Sequence, residues 1–175
     1  MENFKSLLLE YINLKNNDFV LDIGCGEGIF LSKMAQMADI TGFGTDTSSQ
    51  IIEIAAKLNP NFNFVTADCE NIPFDDNSMD IITLCAAYHH IPNINAFART
   101  ARRLIKEKSR IYIVKFYLPP VIRSLTGIFS SLSKDGDFKF YSSKEIINAF
   151  SNSGFRLKSK NMTGHVQILS FSTTE

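Results

Sequence analysis

The run Val20-Leu21-Asp22-Ile23-Gly24-Cys25-Gly26-Glu27-Gly28 constrains this chain more than any other feature. Its first half, with Phe19 before it, has the apolar composition of a buried strand. Its second half has glycine at every other position. From Ile29 to Ala38, Phe30, Leu31, Met34 and Ala35 fall on one helical face. The pattern is therefore strand, glycine turn, helix. Glycine is placed where a backbone must turn sharply or approach a ligand closely. The spacing is D-x-G-x-G-x-G; with Ile at position 29 it is not the G-x-G-x-x-G of dinucleotide enzymes. By itself such a loop can also be no more than a tight turn.

The rest of the chain alternates in the same way, which predicts an α/β fold with a largely parallel sheet. Leu7–Leu14 reads as a leading helix. Strands are predicted at 19–23, 40–45, 62–66, 80–85 and 110–116. Helices are predicted at 48–58, closed by Asn59-Pro60, and at 94–106. A helix over 142–152 ends near Gly154, and strands follow at 155–160 and 166–172. The short link at Thr163-Gly164 makes the last pair a hairpin, so one strand is expected to run antiparallel. Residues 117–137 carry apolar side chains at roughly helical spacing and fit either a lid over a substrate or ordinary packing.

Length and composition narrow the class. A chain of 175 residues, 45% hydrophobic, is expected to form one domain over 1–175 with a core that needs no staples. Disorder, collagen-like repeats and a disulfide scaffold are excluded. Cys25, Cys69 and Cys85 lack metal-type spacing and read as free thiols of a reducing compartment. No apolar run is long enough to span a bilayer, and the first residues do not resemble a signal peptide. A soluble cytoplasmic protein is expected. The net charge of zero divides into −9 over residues 1–80 and +9 over 81–175. The basic half could receive an anionic substrate or nucleic acid, or the two halves could simply be solvated faces.

Two more acids stand at strand ends. Asp46, 22 residues after Gly24, follows the second strand, where a carboxylate can accept both hydroxyls of a ribose. Asp68 follows the third, where it can accept from an adenine amino group while the N–H of Cys69 donates to the ring. Each alone also suits a helix cap or a turn. In series, three strand ends offer a glycine loop, a ribose acceptor and an adenine acceptor, at the edge where open α/β sheets bind ligands.

With these residues in view, the chain resembles the class I S-adenosylmethionine-dependent methyltransferases, of the small-molecule or type 11 branch. The resemblance rests on VLDIGCGEG, GFGTDTS, TADCENIPF, DNSMDIITLCAAYHHIPN and FYSSKEIINAFSNSGFRL, and runs from about Leu7 to Phe171. It implies a Rossmann-like sheet of seven strands, order 3-2-1-4-5-7-6, with strand 7 antiparallel and helices on both faces. It implies S-adenosyl-L-methionine as cofactor and S-adenosyl-L-homocysteine as product. Asp22, Gly24, Cys25, Gly26 and Gly28 would frame the methionine part, Asp46 and Thr47 the ribose, and Asp68 and Cys69 the adenine. Cys85 and Ala86 would face the sulfonium. The family's usual Pro-Gly-Gly turn before strand 5 is replaced by Leu104-Ile105-Lys106-Glu107-Lys108-Ser109-Arg110. The parts that cover the acceptor in many members are short here, which leaves that side open or closed by a second subunit, as in a homodimer.

Methyl transfer from a sulfonium is a direct displacement, so the protein chiefly aligns the acceptor and excludes water. A base is needed only if the nucleophile must lose a proton. His89 and His90, just after strand 4, suit that role, and either could instead cap or pack. Tyr88, Tyr117 and Tyr141 are candidates to line the acceptor site. The segment Cys85-Ala86-Ala87-Tyr88 lacks the Asn/Asp-Pro-Pro-Tyr/Phe of amino-methylating DNA and glutamine enzymes. No carboxylate cluster for a metal and no basic, aromatic-rich nucleic-acid module is visible. The expected partner is a small organic or lipid-like acceptor, with no metal, nucleic acid or membrane span. Two other readings stay open: a catalytically idle cofactor-binding regulator, and a Rossmann-type oxidoreductase.

Overall fold

Alternating residues along the strands divide the hydrophobic side chains between two faces. In β1 (Phe19–Ile23), Val20 points to one side and Leu21 and Ile23 to the other. The same alternation recurs in β4 (Met79–Cys85), β5 (Ile105–Phe116) and β7 (Val166–Thr173). Strands apolar on both faces need helices on both faces. A computed structural model describes residues 2–85, 91–117 and 141–174 and has that three-layer arrangement. With β2 (Thr41–Asp46), β3 (Asn63–Thr66) and β6 (Phe155–Thr163), the strands form one seven-stranded sheet of order β3-β2-β1-β4-β5-β7-β6. β1 to β5 are parallel, and β7 is antiparallel to β5 and β6. The expected order and the antiparallel strand are both borne out.

One face packs on α4 (Ile94–Leu104) and α5 (Ser143–Asn152). Here Leu21, Ile82, Ile111, Leu169 and Phe171 meet Phe97, Phe150 and Phe155. Both helices begin on side-chain caps. Asn93 Oδ1 accepts from the N–H of Asn95 and Ala96, and Ser142 with Glu145 forms a capping box. The other face packs on α1 (Glu2–Leu9) and α2 (Ile29–Ala35), where Leu8, Phe30, Leu31 and Met34 lie against Val20, Ile81, Cys85, Tyr112 and Val114. α3 (Ser49–Leu58), capped by Ser48, lies near the β2–β3 edge.

The largest boundary differences from the sequence reading are at the leading helix and at the junction of α4 with β5. The leading helix runs over Glu2–Leu9, not 7–14; after Leu9 the chain forms a turn, and the N–H of Asn13 donates to the Tyr112 hydroxyl 3.2 Å away. α4 stops at Leu104, not Lys106, and β5 begins at once. Met79 pairs with Ile105 and Ile81 with Arg110, so five steps of β5 pass two of β4. The excess bulges outward with Lys108 at φ 61°, its N–H held by Thr173 Oγ1 at 2.9 Å. That bulge occupies the place of the family's usual turn. Of the segment 117–137, only Tyr117 belongs to the described residues.

Candidate functional site

The glycine loop leaves the carboxyl end of β1 with Gly24, Gly26 and Gly28 at φ 68°, 58° and 77°. Alternate left-handed residues explain the alternate glycines, because other residues enter that region at a cost. Backbone bonds tie the loop to β2: the N–H groups of Gly24 and Cys25 both donate to Thr45 O, at 2.8 and 3.0 Å. Asp46 then holds the loop and the start of α3 together. Its Oδ2 accepts from Gly26 N–H and its Oδ1 from Ser48 N–H, both at 3.1 Å. A carboxylate has about four acceptor positions, so two more donors can be received.

The three glycines do different things. A Cβ on Gly26 would meet no atom within 4 Å, so the loop there faces open space. A Cβ on Gly28 would lie 2.7 Å from the Phe64 ring and 2.8 Å from Asn59 Nδ2. Gly28, expected beside the methionine part, is thus required by packing. Asn59, read in the sequence only as a helix end, braces this loop: its Nδ2 donates to Glu27 O at 3.0 Å and its Oδ1 accepts from Ser32 Oγ. Gly44 has a similar cause, since a Cβ there would be 2.5 Å from the Phe64 ring and 2.8 Å from Cys25 Sγ. The signal was present in the glycine-aromatic alternation GFG and FNF, but it needs the pairing of β2 with β3 to be read.

Asp22 is the most unusual group of the site. It is 1% exposed and lies on the sheet face covered by α1 and α2. Thr83 Oγ1 donates to its Oδ1 at 2.7 Å, while Oδ2 is buried with no hydrogen-bond partner. Burial pushes its carboxyl up to about 6; the Lys5 ammonium and the Thr83 bond pull it down, and Asp46 pushes it up. An orphaned buried carboxylate oxygen is costly unless something charged or hydrogen-bonding completes it. A ligand ammonium would do so.

At the end of β3, Asp68 is exposed and its Oδ1 accepts from the N–H of Glu70 at 2.8 Å, a turn contact. Cys69 is half-buried, and burial, with the Asp68 charge beside it, pushes its thiol up to about 12. Burial, then Asp22 and Asp46, does the same for Cys25, and burial raises Cys85. All three are neutral thiols at physiological pH. Thr47 is exposed beside Asp46.

Ala86, Tyr88, His89 and His90 lie outside the described residues. Tyr117 is exposed, and its N–H donates to His165 O at 2.8 Å. Tyr141 is buried in the α4/α5 layer; its hydroxyl donates to Pro92 O at 2.8 Å and accepts from Ile94 N–H at 3.2 Å. That fixes the entry to α4. Part of the basic excess is likewise structural: the Arg103 guanidinium donates to Phe74 O and Ile72 O and pairs with Asp76 at 2.8 Å. Lys5 on α1 was not singled out in the sequence. Its Nζ lies 5.8 Å from the centroid of the Phe30 ring, close enough to Asp22, Cys25 and Cys85 to be felt electrostatically by all three.

The site therefore has a buried carboxylate with one unpartnered oxygen, an open glycine and a second carboxylate with spare acceptor capacity. These fit, in that order, the ammonium, the aliphatic stem and the ribose of S-adenosylmethionine. Comparison with known proteins agrees. The methyltransferase-domain family of type 11 matches residues 21–113, just over half of the chain. A demethylmenaquinone methyltransferase of Thermotoga maritima is 33% identical over 127 residues, 71% of this chain and 54% of that protein. A 2-phytyl-1,4-naphthoquinone methyltransferase of Trichormus variabilis is 26% identical over 66% of this chain and 54% of its own length. The chain thus spans about half the length of the curated relatives it matches. Among solved structures, the methyltransferase complexed with the Trm112 activator in Haloferax volcanii superposes with a TM-score of 0.85. It is 18% identical over 98% of this chain and 89% of that one, a likeness of fold. No helix among the described residues is long and apolar enough to cross a membrane. With its glycine loop, the two carboxylates beside it and this match, the chain belongs to the S-adenosylmethionine-dependent methyltransferases of the type 11 family.

Proposed function

We propose that this protein transfers a methyl group from S-adenosylmethionine to a small organic or lipid-like acceptor by direct displacement. The observation that carries the reading is the buried, unpartnered Oδ2 of Asp22 beside the open Gly26. Asp22 receives the cofactor ammonium, Gly26 leaves room for the aliphatic stem, and Asp46 accepts from the ribose while holding the loop. Asp68 and the N–H of Cys69 serve the adenine. When bound, the cofactor supplies an electrophilic methyl on a sulfonium. The chain's remaining task is to align the acceptor and keep water out.

The acceptor side lies beyond Cys85, where β4 ends and the sequence continues through Ala86, Tyr88, His89 and His90. In this reading Ala86 and Cys85 border the sulfonium, and one of the two histidines takes a proton where the acceptor must lose one. Two relatives are named as methyltransferases of demethylmenaquinone and of 2-phytyl-1,4-naphthoquinone, which supports a lipid-like acceptor of that kind.

Calorimetry with S-adenosylhomocysteine tests the cofactor half. The native chain should bind it, and Asp46→Ala should weaken binding about tenfold to a hundredfold or more, the loss of hydrogen bonds to a charged group. Unchanged affinity in that variant would remove Asp46 from the site. Methyl transfer from labelled cofactor to demethylated naphthoquinones tests the acceptor half. His89→Ala or His90→Ala should lower turnover about 10²–10⁴-fold with cofactor affinity kept, if that histidine is the base. Tight binding with no transfer to any such acceptor would favour the idle regulatory reading.

A further inference from the structure

The loop after β1 has glycine at three of its five positions from 24 to 28, and ordering so free a backbone on a ligand costs conformational entropy. Backbone bonds to Thr45 hold its first half, at Gly24 and Cys25. Its second half is tied to α3. At the start of that helix, Asp46 joins the N–H of Ser48 to that of Gly26. At its end, Asn59 reaches back to Glu27 O, 32 residues earlier in the chain. The loop is thus fastened to both ends of one helix of ten residues, about 15 Å long. Every polar atom of the Asn59 side chain is engaged there. Its Nδ2 donates to Glu27 O and Ala55 O, each at 3.0 Å, and its Oδ1 accepts from Ser32 Oγ. Loop, α3 and α2 therefore meet at one half-buried amide. Its orientation is forced, since turning the amide over would set its oxygen against two carbonyls. The same Nδ2 lies 2.8 Å from where a Gly28 Cβ would stand, so it also fills the space beside the loop.

We propose that Asn59 is a positioning residue for cofactor binding: it ties the peptide between Glu27 and Gly28 to the end of α3 and so holds the glycine loop in its binding form before the cofactor arrives. This rests on the cofactor reading above and extends it to a residue at the far end of α3 from Asp46. Asn59 acts through Glu27 and Gly28, not on the ligand. The entropy of ordering the glycines is then lost in folding and not in binding, which is what preorganisation means.

Calorimetry with S-adenosylhomocysteine and amide hydrogen exchange, both on the full chain, test this. Asn59→Asp keeps the size and the acceptor for Ser32 but sets an oxygen against Glu27 O and Ala55 O. Asn59→Ala removes the brace altogether. Both should bind S-adenosylhomocysteine about threefold to tenfold more weakly than the native chain. Lys57→Gly, at an exposed position in the last turn of α3, weakens the helix without touching the loop and should keep native affinity. Ser32→Ala should lower affinity less, and add no further loss in the Asn59→Ala background. Without ligand, the Gly26 and Gly28 amides should exchange about threefold to tenfold faster in Asn59→Ala and at the native rate in Lys57→Gly. Native affinity in the Asn59 variants overturns the proposal. So does an equal loss in Lys57→Gly, which would make Asn59 a helix cap only. Failure of the native chain to bind S-adenosylhomocysteine removes the cofactor reading and this proposal with it, whereas unchanged exchange at Gly26 and Gly28 overturns this proposal alone.

Discussion

The two faces of the sheet are built from the same strands and do opposite things. On the α4/α5 side, Phe150 stacks with Phe171 at 4.7 Å, meets Phe155 at 5.1 Å and makes an edge contact with Phe97 at 5.8 Å. The buried Lys115 and Gln167 on that side are hydrogen-bonded: Lys115 Nζ donates to Tyr141 O at 2.8 Å, and Gln167 Oε1 accepts from Ser143 Oγ. On the α1/α2 side, the same alternation places Asp22 and Thr83 where the opposite face has Leu21 and Leu84. One face is optimised for burial. The other carries a buried carboxylate that weakens the fold so that a ligand can complete it. Stability and function are thus divided across a sheet one residue thick.

Substitutions should separate these faces. The largest effect is expected for Phe150→Ala, which should cost about 3–5 kcal/mol and lower Tm by roughly 6–20 °C. Calorimetry on the folded variant should show unchanged affinity for S-adenosylhomocysteine. A matching loss of affinity would mean that the two faces are coupled.

Next is Asp22→Asn, with the opposite sign. Burial raises the Asp22 carboxyl from the ordinary 3.8 to about 6. Between those values the folded chain binds the extra proton, so Asp22's contribution to stability falls as pH rises through that window. Replacing the charge should therefore stabilise the protein near pH 7.5, by at most about 3 kcal/mol, while lowering cofactor affinity. A lower melting temperature, with affinity kept, would contradict the division.

Gly26→Ala should cost about 1–2 kcal/mol of stability, since φ 58° is held by a residue with a side chain, although no atom obstructs the Cβ. Its loss of cofactor affinity should exceed that of Asn61→Ala, a control far from the loop in sequence. Equal, small effects would make Gly26 a turn residue only.

The smallest effect is in pH. An ammonium bound to Asp22 requires the ionised carboxylate, so affinity for S-adenosylhomocysteine should fall about twofold from pH 8 to pH 6 and about tenfold by pH 5. In Asp22→Asn that slope should disappear. A flat profile in the native chain would place the ammonium elsewhere.

How much of this was legible in the sequence differs from residue to residue. The glycine turn and the acids at the ends of β2 and β3 were legible because strand ends, turns and acids are local signals repeated at one edge of the sheet. The packing of Gly28 against Phe64 and Asn59 was not legible, because a left-handed φ looks the same whichever neighbour demands it. The start of β5 was missed because Lys106-Glu107-Lys108-Ser109 is polar and lacks strand periodicity. It is held as a bulge by pairing on both sides. The leading helix was placed late because Leu7–Leu14 is apolar enough to continue it. Capture of the Asn13 N–H by the Tyr112 hydroxyl, 99 residues away, is invisible from within that segment.

The sequence by itself determined the order of strands and helices, the position of the glycine turn and the chemical kind of site, since hydrophobic period and φ preference act over a few residues. Only the tertiary structure decided which carboxylate oxygen lacks a partner and which glycine faces open space. Those facts depend on what lies opposite across the sheet and its helices, and burial and electrostatics are set by neighbours in space, not in the chain.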